Sequence, residues 1–152
     1  AVLVLIAGVA TAQNTDHRVF GLELGVIGGY DVGAEEPLSG RVFSLVIPVN
    51  DSLQFGVAAI DATISTSPVT SEAYVMMTAE YFITPELGVQ LLSGSGPQEI
   101  GGGLNVFFNI LKNQPEASLS SSLRAQAGYL LDTTDGVDSG SITMGLVASV
   151  GL

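Results

Sequence analysis

The sequence predicts an all-β fold, an eight-stranded antiparallel up-and-down transmembrane β-barrel, and three observations carry that prediction. Hydrophobicity alternates with a period of two along eight separate segments. Short connections between those segments alternate with longer ones, as in a series of antiparallel hairpins. Finally, 47% of the 152 residues are hydrophobic and only 12% are charged, about half the roughly 25% charge of an ordinary soluble domain. A compact fold of that composition turns a largely apolar exterior outward, so the exterior is covered by another protein or by lipid.

The segments follow in order. Val19 to Tyr30 places Phe20, Leu22, Leu24, Val26 and Tyr30 on one face, and Glu23, Gly25, Ile27 and Gly29 on the other. Arg41 to Val49 sets Phe43, Leu45, Ile47 and Val49 against Val42, Ser44, Val46 and Pro48. Leu53 to Ile64 begins with Leu53, Phe55, Val57 and Ala59 opposed to Gln54, Gly56 and Ala58. Ala73 to Ile83 sets Val75, Met77, Ala79, Tyr81 and Ile83 against Tyr74, Met76, Thr78, Glu80 and Phe82. Leu87 to Leu92 is the shortest, with Leu87, Val89 and Leu91 facing away from Gly88 and Gln90. Ile100 to Leu111 opposes Leu104, Val106, Phe108 and Ile110 to Gly101, Gly103, Asn105, Phe107 and Asn109. Ala117 to Leu131 opposes Leu119, Leu123, Ala125, Ala127, Tyr129 and Leu131 to Ser120, Ser122, Arg124, Gln126 and Gly128. Ser141 to Leu152 opposes Ile142, Met144, Leu146, Ala148, Val150 and Leu152 to Thr143, Gly145, Val147, Ser149 and Gly151.

The connections 50–52, 84–86 and 112–116 read as turns, and 31–40, 65–72, 93–99 and 132–140 as longer surface loops. One face of nearly every segment is apolar, and the other mixes Gly, Ser, Thr, Asn, Gln and a few charges. Eight strands enclose only enough room for closely packed side chains. The many large aliphatic residues therefore cannot all point inward, and the pattern fits a barrel turned inside out, apolar toward lipid and small or polar toward the lumen. Phe20 and Tyr30 suit two aromatic girdles, with Phe43, Phe55, Tyr81, Phe108 and Tyr129 as further members.

Residues 1–12 are continuously apolar and end in Ala10-Thr11-Ala12, and residues 13–18 form a polar linker. The run is too short to span a bilayer as a helix. It reads as the hydrophobic region of a secretory signal cleaved before Gln13, or as an ordered apolar N-terminal segment. Either reading places the protein outside the cytoplasm.

Over residues 19–152 the strand number, the alternation of connections and the final strand are together similar, as architecture, to the small eight-stranded outer-membrane barrels of Gram-negative-type bacteria. That group includes the OmpA transmembrane domain, OmpX and OmpW. The chain departs from it in ending Val150-Gly151-Leu152, where the group usually ends in Phe. The resemblance implies a monomeric or weakly associating barrel in the outer membrane, with its termini and tight turns on the periplasmic side.

Four Lys plus Arg against fifteen Asp plus Glu give a net charge of -11, which repels nucleic-acid phosphates and anionic membrane surfaces. The lack of cysteine removes disulfides, thiol catalysis and Cys-based zinc sites. His17 reads as a solvated linker residue rather than part of a hydrolase triad with Asp16. Gly101-Gly102-Gly103 lacks the following helix and lysine of a phosphate-binding loop, and reads as a kink that leaves room in the lumen.

Glu23, Glu80 and Arg124 fall on the inward face near the middle of their segments, where buried charges must be paired. The expectation is that Arg124 bridges one or both carboxylates, alongside Gln90, Asn105, Asn109 and Gln126, as a polar plug rather than a gate. The acidic residues Asp31, Glu35, Glu36, Asp61, Glu72, Glu99, Asp132, Asp135 and Asp138 gather at the loop end. Clustered carboxylates suit a hard cation, so weak, salt-sensitive Ca²⁺ or Mg²⁺ association is expected at Asp132, Asp135 and Asp138, with Glu35 or Glu36 assisting.

The functional expectation is a non-enzymatic barrel without a tightly held cofactor, with a structural or adhesive role through acidic surface loops. Its partners would be outer-membrane lipid, surface glycolipid, or a host or neighbouring surface. A second reading is a secreted β-sandwich filament or pilus subunit that polymerises by donating its apolar N-terminal segment to a neighbour. A narrow channel or a lipid-modifying enzyme stands behind both.

Overall fold

The structure is a computed structural model that describes residues 19–64, 70–95, 100–113, 120–134 and 137–151. Its eight strands are β1 (Gly21–Asp31), β2 (Glu36–Asn50), β3 (Leu53–Ile64), β4 (Thr70–Phe82), β5 (Leu87–Ser95), β6 (Ile100–Asn113), β7 (Ser120–Thr134) and β8 (Val137–Gly151). Each pairs antiparallel with its neighbours in sequence, and β8 closes on β1 to complete a barrel. The apolar segment 1–12 and the linker 13–18 lie outside the described residues.

The register fixes the barrel's shape. The row of direct partners from Gly21 runs through Val46, Gly56, Thr78, Leu92, Gly103, Leu130 and Ser141, and returns to β1 at Asp31, ten residues further along. A stagger of that size over eight strands tilts them by about 40° to the axis. Every residue in the row faces the lumen, because side chains alternate strictly along a strand.

The outward face is a continuous apolar band. Leu24, Val26, Met77 and Met144 are at least 60% exposed, and Leu22, Leu45, Val57, Leu104 and Leu146 lie on the same outer surface. Leu123 also points outward but is half-buried. From Leu22 to Tyr30 the band is roughly 20 Å tall, allowing about 3.3 Å per residue and the tilt. Branched and aromatic side chains dominate these positions, as befits a pleated surface. A bulge between Asn109 and Leu111 turns both Ile110 and Leu111 outward.

Local side chains shape the connections. Asn50 Oδ1 accepts from the backbone N–H of Ser52 at 2.9 Å, and Thr84 Oγ1 accepts from those of Glu86 and Leu87 at 3.2 and 3.0 Å. Between β1 and β2, Asp31 Oδ1 accepts from Ala34 N–H at 2.6 Å, and Glu35 adopts a left-handed φ of 58°. Asx and Ser/Thr turns of this kind replace a ladder with local hydrogen bonds.

Three expectations are corrected. The ladders run well past the apolar alternation, so the expected loop at 31–40 is a turn over 32–35, and β7 and β8 occupy most of 132–140. Connection lengths consequently do not alternate. Asp31, Glu36, Glu72, Asp132 and Asp138, expected in the longer connections, belong to strand ends. The reason is that polar and Gly-rich residues pair their backbones as well as apolar ones do; apolar alternation marks the band, not the ladder.

Second, the lumen is not polar throughout. Its loop-end half is filled by Ile27, Leu38, Val42, Ile60, Ala62, Met76 and Leu92, with Tyr74 and Leu130 packed against them. Inward glycines make the room: a Cβ on Gly103 would lie 2.8 Å from Leu130 Cδ2, and one on Gly145 2.9 Å from Ile27 Cγ2. Third, a sandwich completed by a donated strand needs an open sheet edge, and all eight strands here have two partners.

Candidate functional site

Below the apolar layer, the turn-end half of the lumen holds a charged network centred on Arg124. The outward placement of Leu123 and Ala125 aims Arg124 into the barrel, where it is 4% exposed. Its Nη1 donates to Glu80 Oε2 at 2.8 Å and its Nη2 to Glu80 Oε1 at 3.0 Å. The guanidinium thus forks onto one carboxylate, the strongest geometry available to such a pair. Nη2 also donates to Glu23 Oε2 at 3.0 Å.

Glu80 takes two further bonds. Gln54 Nε2 donates to its Oε2, and Gln90 Nε2 to its Oε1 at 2.6 Å. Asn105 Nδ2 in turn donates to Gln90 Oε1 at 2.7 Å. The register explains the chain, because Gln54, Glu80, Gln90 and Asn105 are direct partners on four successive strands. The Arg124 guanidinium lies 4.8 Å from the centre of the Phe107 ring. Phe107 meets Phe82 edge-on at 5.2 Å. Six strands are thereby tied to one buried cluster: β1 through Glu23, β3 through Gln54, β4 through Glu80, β5 through Gln90, β6 through Asn105 and β7 through Arg124.

Of the expected site residues, Glu23, Glu80, Arg124, Gln90 and Asn105 come together here. Asn109 does not join them: its Nδ2 donates to Pro85 O at 3.2 Å, because the β5–β6 register carries it one residue past the Leu87–Phe108 pair, to the turn at 83–86. Gln126 lines a small cavity on the loop-end side of Arg124. Asp135 and the side chains of Asp132 and Asp138 lie outside the described residues, as does His17. Glu35 is exposed in the first turn and Glu36 opens β2.

Composition and alternation did not single out Gln54 or Phe107, although both sit on the inward face. Pairing register is what places Gln54 beside Glu80. The same holds for Asp31, whose buried carboxylate accepts from Ser141 Oγ at 2.7 Å across the β1–β8 seam.

Two cavities of about 10 Å³ flank Arg124, one on the turn-end side with Glu23 and Ser149 and one on the loop-end side with Asn105 and Thr143. Each has room for about one water. With Arg124 lining both, the cluster can brace the barrel and block passage through it. No protein-family model matches the chain, and none of the curated proteins matches it.

Proposed function

We propose that this chain is an integral outer-membrane β-barrel with a closed lumen, non-enzymatic, that acts through the surface it presents at the loop end in a structural or adhesive role. The observation that carries the reading is the inverted distribution of polarity. Large apolar side chains ring the outside at 39–75% exposure, while Glu23, Glu80 and Arg124 are nearly sealed inside. Water penalises that arrangement through its apolar exterior, and a hydrocarbon layer favours it.

A lumen filled by an ionic cluster and an apolar layer supports a non-conducting role over a channel. What then remains available to partners is the acidic loop end, which suits divalent cations and, through them, anionic surface glycolipid or a neighbouring cell surface. Membrane fractionation of a producing cell tests the proposal. The protein should stay in the membrane pellet through urea and carbonate washes and enter solution with detergent. Recovery as a detergent-free monomer in buffer would contradict it.

A further inference from the structure

We infer that one long-lived water is held inside the lumen between Arg124 and Asn105, as a built-in structural ligand of the barrel. The inference rests on the lumen geometry and is independent of where the barrel resides. Arg124 Nε and Asn105 Oδ1 are buried and have no hydrogen-bond partner among the described residues. Both residues line the loop-end cavity of about 10 Å³, whose wall also includes Gln126 and Thr143.

The orientation of the Asn105 amide follows from the network rather than from choice. An ionised Glu80 only accepts, so Gln90 must turn its NH₂ toward Glu80 and its oxygen toward Asn105. Asn105 must then turn its NH₂ toward Gln90, which leaves Oδ1 as an acceptor on the other side. There it sits against bare backbone, since a Cβ on Gly128 would fall 1.9 Å from it. Arg124 is fixed likewise, with Nη1 and Nη2 committed to the two carboxylates and Nε–H left as a donor.

The ligand's chemistry follows from that pairing of one donor with one acceptor. A cation would face the guanidinium, and an anion would face the amide oxygen with Glu80 behind it. An apolar group would satisfy neither atom. Water donates to Oδ1 and accepts from Nε–H, a cavity of this size holds about one, and Gln126 and Thr143 supply the remaining partners that buried waters usually have.

Nitrogen-15-edited NMR of the folded barrel in detergent micelles tests this. The sequence has three arginines, Arg18, Arg41 and Arg124, and the Arg124 Hε signal is assigned through its contacts with the Phe107 ring. It should show a rotating-frame cross-peak to water opposite in sign to the diagonal, which simple proton exchange cannot produce. The cross-peak should vanish in Asn105→Leu while the Phe107 contacts persist. A wild-type spectrum with no such peak, or with an exchange peak alone, overturns the inference whether or not the variant folds. Persistence of the peak at full intensity in folded Asn105→Leu also overturns it.

Discussion

Replacing Arg124 with Met removes the one guanidinium that holds Glu80 and Glu23 together, and its cost can be worked from the geometry. Three charge-assisted hydrogen bonds disappear, each in the range of about 1.5–3 kcal/mol. Glu80 keeps Gln54 and Gln90 as donors, so its carboxylate is under-compensated rather than bare. Breaking a buried pair in this way costs about 3–5 kcal/mol, and the retained amides put the expected loss toward the lower end. That is still at least about a hundredfold in the folding equilibrium constant.

The assay is urea unfolding into and out of lipid vesicles, followed by far-ultraviolet circular dichroism because the chain has no Trp. The informative comparison is the double variant Arg124→Met with Glu80→Gln. It removes the charge that the single variant leaves uncompensated, and it should recover part of the loss. An Arg124→Met cost below about 1 kcal/mol, or a double variant less stable than the sum of the singles, would show that the cluster is not held as a paired buried charge.

Leu146→Arg places a cation on the outer band and should cost about 2–4 kcal/mol in lipid, measured by the same urea titration; the same side chain at Asp51→Arg, in the exposed β2–β3 turn, should cost close to nothing. Gly88→Ala pushes a methyl into the Phe107 ring, which a Cβ would meet at 2.3 Å; a loss of about 1–3 kcal/mol is expected, and the double variant with Phe107→Leu should recover part of it. Asp31→Ala removes the acceptor for Ala34 N–H and Ser141 Oγ and should cost about 1–3 kcal/mol, with amide exchange at Ala34 accelerating first.

The outer band was legible because one physical rule governs it: consecutive side chains alternate, so Leu22, Leu24 and Val26 share a face whatever the register. The inward charges Glu23, Glu80 and Arg124 were legible for the same reason. The ladder's extent was not. At Glu36–Gly40 and Asp138–Gly140 the backbone pairs without any apolar alternation to announce it.

Gln54 illustrates a second limit, since its place beside Glu80 depends on a register fixed by the whole β3–β4 hairpin. Asp31 and Ser141 depend on closure of β1 against β8, a contact between the two ends of the barrel sequence. The apolar layer of Ile27, Val42, Ile60 and Leu92 was obscured by Gly and Ser on the same inward faces. Its large side chains fill space that glycines on neighbouring strands leave open.

Depth-dependent quenching by brominated acyl chains reads contact between the outer band and lipid. The chain contains no Trp, so single substitutions report without background. Leu146→Trp and Leu104→Trp, both on the band, should be strongly quenched by bromine deep in the bilayer, and Asp51→Trp, in an exposed turn, should be unaffected. Equal, weak quenching at all three positions, with emission typical of Trp in water, would place the band in water instead of lipid.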